Sequence, residues 1–76
     1  MSITKLSHCK PGQSGVIKNI AGDGPVIQRL LELGLIEGKA IRVLRHAPFG
    51  DPISIEFEGM HLALRAAEAQ HLEILL

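Results

Sequence analysis

Glycine and proline interrupt this chain so often that only one stretch is long enough to form a substantial helix. Eight glycines and four prolines are spread through 76 residues, and between them apolar residues mostly alternate with polar ones. The exception is Val26 to Leu33. There Val26, Leu30 and Leu33 recur at i, i+4 and i+7, with Ile27 and Leu31 a step around the same side and Gln28, Arg29 and Glu32 opposite. Pro25 suits a first helical turn, and Asp23 or Gly24 can cap it. Gly34 stands where a helix ends in the left-handed conformation, and Leu35 beyond it offers the usual apolar contact. The segment predicts one amphipathic helix near residues 25–33, too short to persist without packing.

The rest reads as strands. Lys10 to Gly15 is turn-rich, and Gly15 to Ile20 is a β-branched run. Ala40 to His46 places Ile41 and Val43 on one face, although Leu44 breaks the alternation. Ala47 to Pro52 is a connection. Ile53, Ile55 and Phe57 then alternate cleanly with Ser54, Glu56 and Glu58, the pattern of a half-buried antiparallel strand. Gly59 turns the chain into Met60, Leu62 and Leu64. Ala66 to Gln70 reads as one helical or 3₁₀ turn, and Leu72, Ile74 and Leu76 alternate to the last residue. Five short strands with one early helix predict a mostly-β fold, a small, strongly bent barrel rather than a sandwich. A parallel βαβ arrangement is excluded, because only one helix is long enough to cross over. The expected core is Val26, Leu30, Leu33, Ile41, Val43, Ile55, Phe57, Leu62, Leu64, Leu72 and Ile74.

Residues 1–76 fit a single domain, and a chain this short buries only about 60% of its unfolded surface, so the core must be efficient. Eight Lys and Arg balance eight Asp and Glu, which removes the basic excess expected of a nucleic-acid binder. There is no Trp or Tyr, and Phe49 and Phe57 are the only aromatics, so stacking platforms for single strands are missing as well. Cys9 has no internal disulfide partner, which fits a reducing compartment. No stretch approaches the ~20 apolar residues of a membrane span. A soluble cytoplasmic domain is expected.

Reactive residue types are present but not in chemical constellations. His8, His46, His61 and His71 have no paired Cys or His at metal-ligand spacing, so isolated surface histidines and no metal site are expected. The serines lack a nucleophile-elbow setting. Gly12 with Gly15, and Gly22 with Gly24, resemble fragments of phosphate loops but lack the Lys and Ser/Thr that complete one. A non-enzyme without a cofactor is expected. Lys39, Arg42 and Arg45 recur at spacing three, which on a regular strand scatters them over both faces. They read either as a solvated surface or as a contact to an acidic partner.

Three ordered motifs resemble a known family. Gln28-Arg29-Leu30-Leu31-Glu32-Leu33-Gly34-Leu35-Ile36-Glu37-Gly38 is similar to the R-L-x-x-L-G-hydrophobic-x-x-G signature of the FeoA family, small cytosolic proteins of bacterial ferrous iron transport. Ala47-Pro48-Phe49-Gly50-Asp51-Pro52 is similar to its A-P-hydrophobic-G-D-P segment, and Leu62 to Ala69, with Arg65, to its L-A-L-R-x-x-E-A ending. Glu37 departs from the pattern, where the family often has Pro. The resemblance implies an SH3-like barrel, no catalytic residues, and a role beside FeoB, the membrane GTPase that carries ferrous iron inward. It implies membrane proximity only through that partner. The same domain closes iron-dependent repressors, but no helix-turn-helix stretch occurs here, so a free-standing domain is expected.

Under this reading Leu30, Leu33, Gly34, Gly38, Pro48, Gly50, Asp51, Pro52 and Arg65 are motif residues of structural weight. Two surface features stand out as partner contacts: Phe49 between two prolines, and the exposed helix side with Gln28, Arg29 and Glu32. Phe49 either anchors a partner or folds back to plug the barrel end. The alternative function is a sensing domain that binds a transition metal or another ligand directly. Self-association is left open.

Overall fold

The computed structural model describes residues 2–76. Six strands make one sheet: β1 (Ile3–Lys5), β2 (Ser14–Ile20), β3 (Ala40–His46), β4 (Ile53–Phe57), β5 (Met60–Leu64) and β6 (Leu72–Leu75). Their spatial order is β1-β6-β2-β3-β4-β5, and every pairing is antiparallel. Helix α1 (Pro25–Glu32) joins β2 to β3, and the single turn α2 (Ala66–Ala69) joins β5 to β6. The mostly-β fold with one early helix is the expected one. The strand count is six rather than five, because β1 is only three residues long, shows no alternation to read, and exists by pairing with β6.

Two register shifts bend the sheet. One lies in β2 between Ile17 and Asn19 against β6, the other in β3 between Val43 and Arg45 against β4. An extra residue in one strand increases local twist and curls the sheet over its own core. The second shift explains why Leu44 breaks the alternation: it is the extra residue. It also corrects the expected scatter of the basic residues. Arg42 pairs with Glu56 and Arg45 with Ser54, two positions apart on β4, so both arginines share the outer face. At the crossing of β2 and β6 only glycine is accommodated at position 15. A Cβ there would lie 2.5 Å from the Leu75 carbonyl oxygen and 2.7 Å from Ile74 Cγ2.

The core contains most of the expected residues and several others. Leu30, Ile41, Val43, Ile55, Phe57, Leu64, Leu72 and Ile74 are buried, while Leu33 and Leu62 pack at its margin. Leu6, Cys9, Ile17, Ile27, Leu35, Ile53 and Ala69 join them. Val26 does not, being 37% exposed, and Leu31 is exposed as well. Helix α1 is rotated about one residue from the expected face, so that Ile27 and Leu30 point inward. The cause lies at its end. Leu35 N–H donates to the Leu30 carbonyl (3.1 Å) and Gly34 N–H to the Leu31 carbonyl (2.9 Å), the paired bonds of a Schellman stop. Gly34 has φ +91°, and fully buried Leu35 then packs with the fully buried Leu30. Anchoring Leu35 fixes which side of α1 faces the sheet.

Leu30→Ala is therefore expected to lower the unfolding free energy by about 2–5 kcal/mol, whereas Val26→Ala should change it by less than about 0.5 kcal/mol. Urea denaturation of the two variants checks the assigned face. Comparable losses would show that it is wrong.

Candidate functional site

The β3–β4 connection is a built loop rather than a slack one. Ala47 N–H donates to the Pro52 carbonyl (3.0 Å) and Gly50 N–H to the Ala47 carbonyl (2.8 Å), closing the loop at its base and across its tip. Phe49 sits at that tip, fully exposed, with φ +68°. A side chain in the left-handed region costs about 1 kcal/mol, and here neither packing nor backbone preference favours phenylalanine. The plug alternative is thus excluded: Phe49 points into solvent.

Asp51 fastens this loop to α2. Its Oδ1 accepts the Ala66 N–H (3.1 Å), and its Oδ2 lies 3.6 Å from the Arg65 guanidinium. Glu68 continues the network. Its Oε1 accepts the Arg65 N–H (2.9 Å), and its Oε2 lies 3.1 Å from Arg29 Nη1 on α1. Glu68 is the only buried charged residue among those described. A carboxylate held there needs both its cation and its N–H donor, because an unpaired buried charge is strongly unfavourable. The three motifs read in the sequence are thus three parts of one polar network: Arg29 from the first, Asp51 from the second, Arg65 and Glu68 from the third.

This placement revises the role of Arg29. It lies on the exposed side of α1 with Gln28 and Glu32, as expected, but its guanidinium is engaged by Glu68 rather than free. The structure links that helix side to the Phe49 loop through α2. No signal in the sequence announced the pairing, because Arg29 and Glu68 are far apart along the chain. The short E-A ending, three residues after Arg65, was the only hint of a reciprocal cap at that turn.

The reactive side chains are placed for structure. His46 Nε2 donates to the Cys9 carbonyl (2.8 Å), and His71 Nδ1 donates to the Ala21 carbonyl (2.9 Å). These two are half-buried ties between segments, not the isolated surface histidines expected; His8 and His61 do lie exposed. Cys9 is buried, its Sγ 3.6 Å from the Lys5 carbonyl, and burial pushes its thiol pKa above the usual value. Among the described residues no cavity opens in the surface, and no three His, Cys, Asp or Glu side chains gather to hold a metal ion. Among them, too, no helix is long and apolar enough to cross a membrane.

A model of the FeoA domain matches residues 4–75. The chain belongs to the FeoA family. It is 33% identical over 70 residues to the Fe(2+) transport protein A/Fe(2+) transporter FeoB fusion protein of Porphyromonas gingivalis, covering 92% of this chain but only 8% of the fusion. The FeoA protein of Chlorobium tepidum superimposes with a TM-score of 0.83 at 39% identity, over 96% of this chain and 70% of that one. The zinc-complexed FeoA of Stenotrophomonas maltophilia, described as an SH3 domain protein, superimposes with a TM-score of 0.81 at 25% identity, over 95% and 89%. The bent sheet seen here is accordingly the SH3-like barrel of FeoA domains, and the departure at Glu37 leaves it intact.

Two expectations follow for this FeoA domain. Arg29→Ala should lower stability by about 1–2 kcal/mol, less than a fully buried pair would cost because Arg29 is more than half exposed, and Arg29→Glu should cost more by setting two carboxylates together. Glu32→Ala, outside the network, should leave the melting curve in place. For Cys9, alkylation by iodoacetamide at mildly alkaline pH should be at least tenfold slower in the native protein than in denaturant, since the buried thiol stays protonated and shielded. Because the native pKa is raised, the unfolded chain releases the thiol proton first, and stability falls as pH rises above the ordinary thiol range.

Proposed function

We propose that this protein is a non-enzymatic accessory of ferrous iron import, acting in the cytoplasm by docking on a FeoB-type membrane GTPase. The iron context is supported by the P. gingivalis relative, in which a FeoA part and a FeoB transporter form one polypeptide. Covalent fusion makes the encounter intramolecular and implies that the two parts work side by side. The docking itself is carried by one observation: Phe49, fully exposed in a left-handed conformation on a loop closed by its own hydrogen bonds. An aromatic held rigid before binding loses little entropy when it is captured, which is the character of an interface hot spot. Pro48 and Pro52 flank it and limit the loop further. Gln28 and Glu32 on α1 extend the contact surface toward the helix, with Arg29 shared between that surface and Glu68.

Direct metal sensing is the other functional class compatible with an SH3-like domain of this size. The described residues offer no ligand group for it, and the docking reading is preferred.

Affinity capture of the full-length transporter from the native host tests the proposal. The wild-type protein should retain it, and Phe49→Ser should weaken retention by about 2 kcal/mol, roughly thirtyfold, with an unchanged melting temperature. Arg29→Glu is unsuitable for this purpose because it disturbs the Glu68 network. Equal retention of the transporter by wild type and Phe49→Ser would remove the loop from the interface.

A further inference from the structure

The zero net charge conceals a separation of charge along β4. Ion pairs join Arg29 to Glu68, Lys39 to Glu58, Arg42 to Glu56 and Arg65 to Asp51. Among the described residues this leaves Lys5, Lys10, Lys18 and Arg45 as cations outside ion pairs, and Asp23, Glu32, Glu37 and Glu73 as the corresponding carboxylates.

Arg45 is the last outward-facing residue of β3 before the Phe49 loop, exposed, and opposite Ser54 rather than a carboxylate. Lys10 is level with it. The Cys9–Gln13 turn runs antiparallel to the end of β3, with His46 Nε2 bonded to the Cys9 carbonyl and Gly12 N–H bonded to the Val43 carbonyl. Glu37 lies toward the other end of β4: a Cβ built on Gly34, three residues before it, would lie 3.6 Å from the Phe57 ring, and Lys39, two residues after it, pairs with Glu58. The end that carries Phe49 is therefore basic, and its carboxylates are already engaged, Asp51 by Arg65 and the Ala66 N–H and the buried Glu68 by Arg29 and the Arg65 N–H.

We propose that the surface receiving Phe49 is an acidic protein surface: an apolar socket for the ring, bordered by carboxylates that meet Lys10 and Arg45. The inference rests on the docking reading above and adds the chemistry of the partner. Charge complementarity argues for it, since cations left without internal partners beside an aromatic tip are matched by fixed carboxylates. An anionic lipid surface also attracts such a tip. However, one aromatic ring with two free cations gives less apolar insertion than a single acyl chain, which alone holds a protein only marginally to a membrane. A protein socket encloses the ring on all sides and does not have that limit.

Binding to the detergent-solubilised FeoB-type transporter of the same organism, measured by surface plasmon resonance at increasing salt, tests this. Wild-type affinity should fall several-fold between low and high ionic strength, chiefly through slower association. Lys10→Glu with Arg45→Glu should bind about tenfold or more weakly and lose the salt dependence, and Lys10→Gln with Arg45→Gln should fall between. Asp23→Lys with Glu37→Lys should bind as wild type. All four side chains are exposed, and melting curves verify that the variants fold. Wild-type affinity in both double variants at positions 10 and 45, with no salt dependence, overturns the acidic surface while leaving the docking reading intact provided Phe49→Ser still binds poorly. No binding by wild type overturns both. Binding to vesicles of equimolar phosphatidylglycerol and phosphatidylcholine as tight as binding to the transporter assigns the tip to lipid and overturns the protein socket.

Discussion

Glu68 is a carboxylate held in the interior of a domain that has little interior to spare. Its two oxygens are both used, one by Arg29 on α1 and the other by the Arg65 backbone N–H. Removing Arg29 costs more than losing a surface ion pair, because the Glu68 carboxylate is buried, but less than breaking a fully buried pair, because Arg29 is more than half exposed. The arrangement has a mechanical consequence. Helix α2 is only four residues long, well below the length at which a helix persists by itself. Glu68 holds its first turn, Asp51 accepts its Ala66 N–H, and through Asp51 the β3–β4 loop acquires a fixed base. The position of Phe49 thus depends, through Asp51 and α2, on the contact between Arg29 and Glu68.

The same economy shows in how the sheet closes on its core. A barrel of short strands must bend sharply, and here the bends come from two added residues rather than from long loops. The bulge in β3 does a second thing. By adding one residue between Val43 and Arg45, it turns Arg45 onto the face already occupied by Arg42. A regular strand would have turned Arg45 toward the core, where an unpaired guanidinium is not tolerated. Bending the sheet and presenting a cation beside the loop are one structural event.

Much of the architecture was legible in the sequence because period and punctuation are local. The helix, its Gly34 stop, the alternating β4 and the early-helix barrel all follow from neighbours within a few residues. What was not legible is non-local. Strand β1 has too few residues to show a period and is defined by β6. The helical stripe places Val26 inward, but the Leu35 anchor sets the rotation of α1 and leaves Val26 exposed. Leu44 was visible as an irregularity, yet its meaning as a bulge needs the partner strand. The candidate site divides in the same way. Phe49 and the Asp51 segment stood out as a motif, but whether the ring faced solvent or core was undecidable from composition. Arg29 reads in the sequence as a surface cation, whereas its engagement with Glu68 requires the fold to bring two distant segments together.

The motifs that mark this chain as a FeoA domain are therefore mainly devices of rigidity. Arg29, Asp51, Arg65 and Glu68 form the network, Gly34 ends the helix, and the loop prolines restrict the backbone around the tip. Each of them holds one segment of the fold against another. Rigidity of this kind has value where a protein must offer a shape. A flexible loop with an exposed aromatic would lose conformational entropy on capture and would expose apolar surface to non-specific contacts in the meantime. Holding one ring outward on a fixed base, beside cations that have no internal partner, limits both losses. Such a tip favours a receiving surface that matches it in shape and charge over surfaces that are merely apolar.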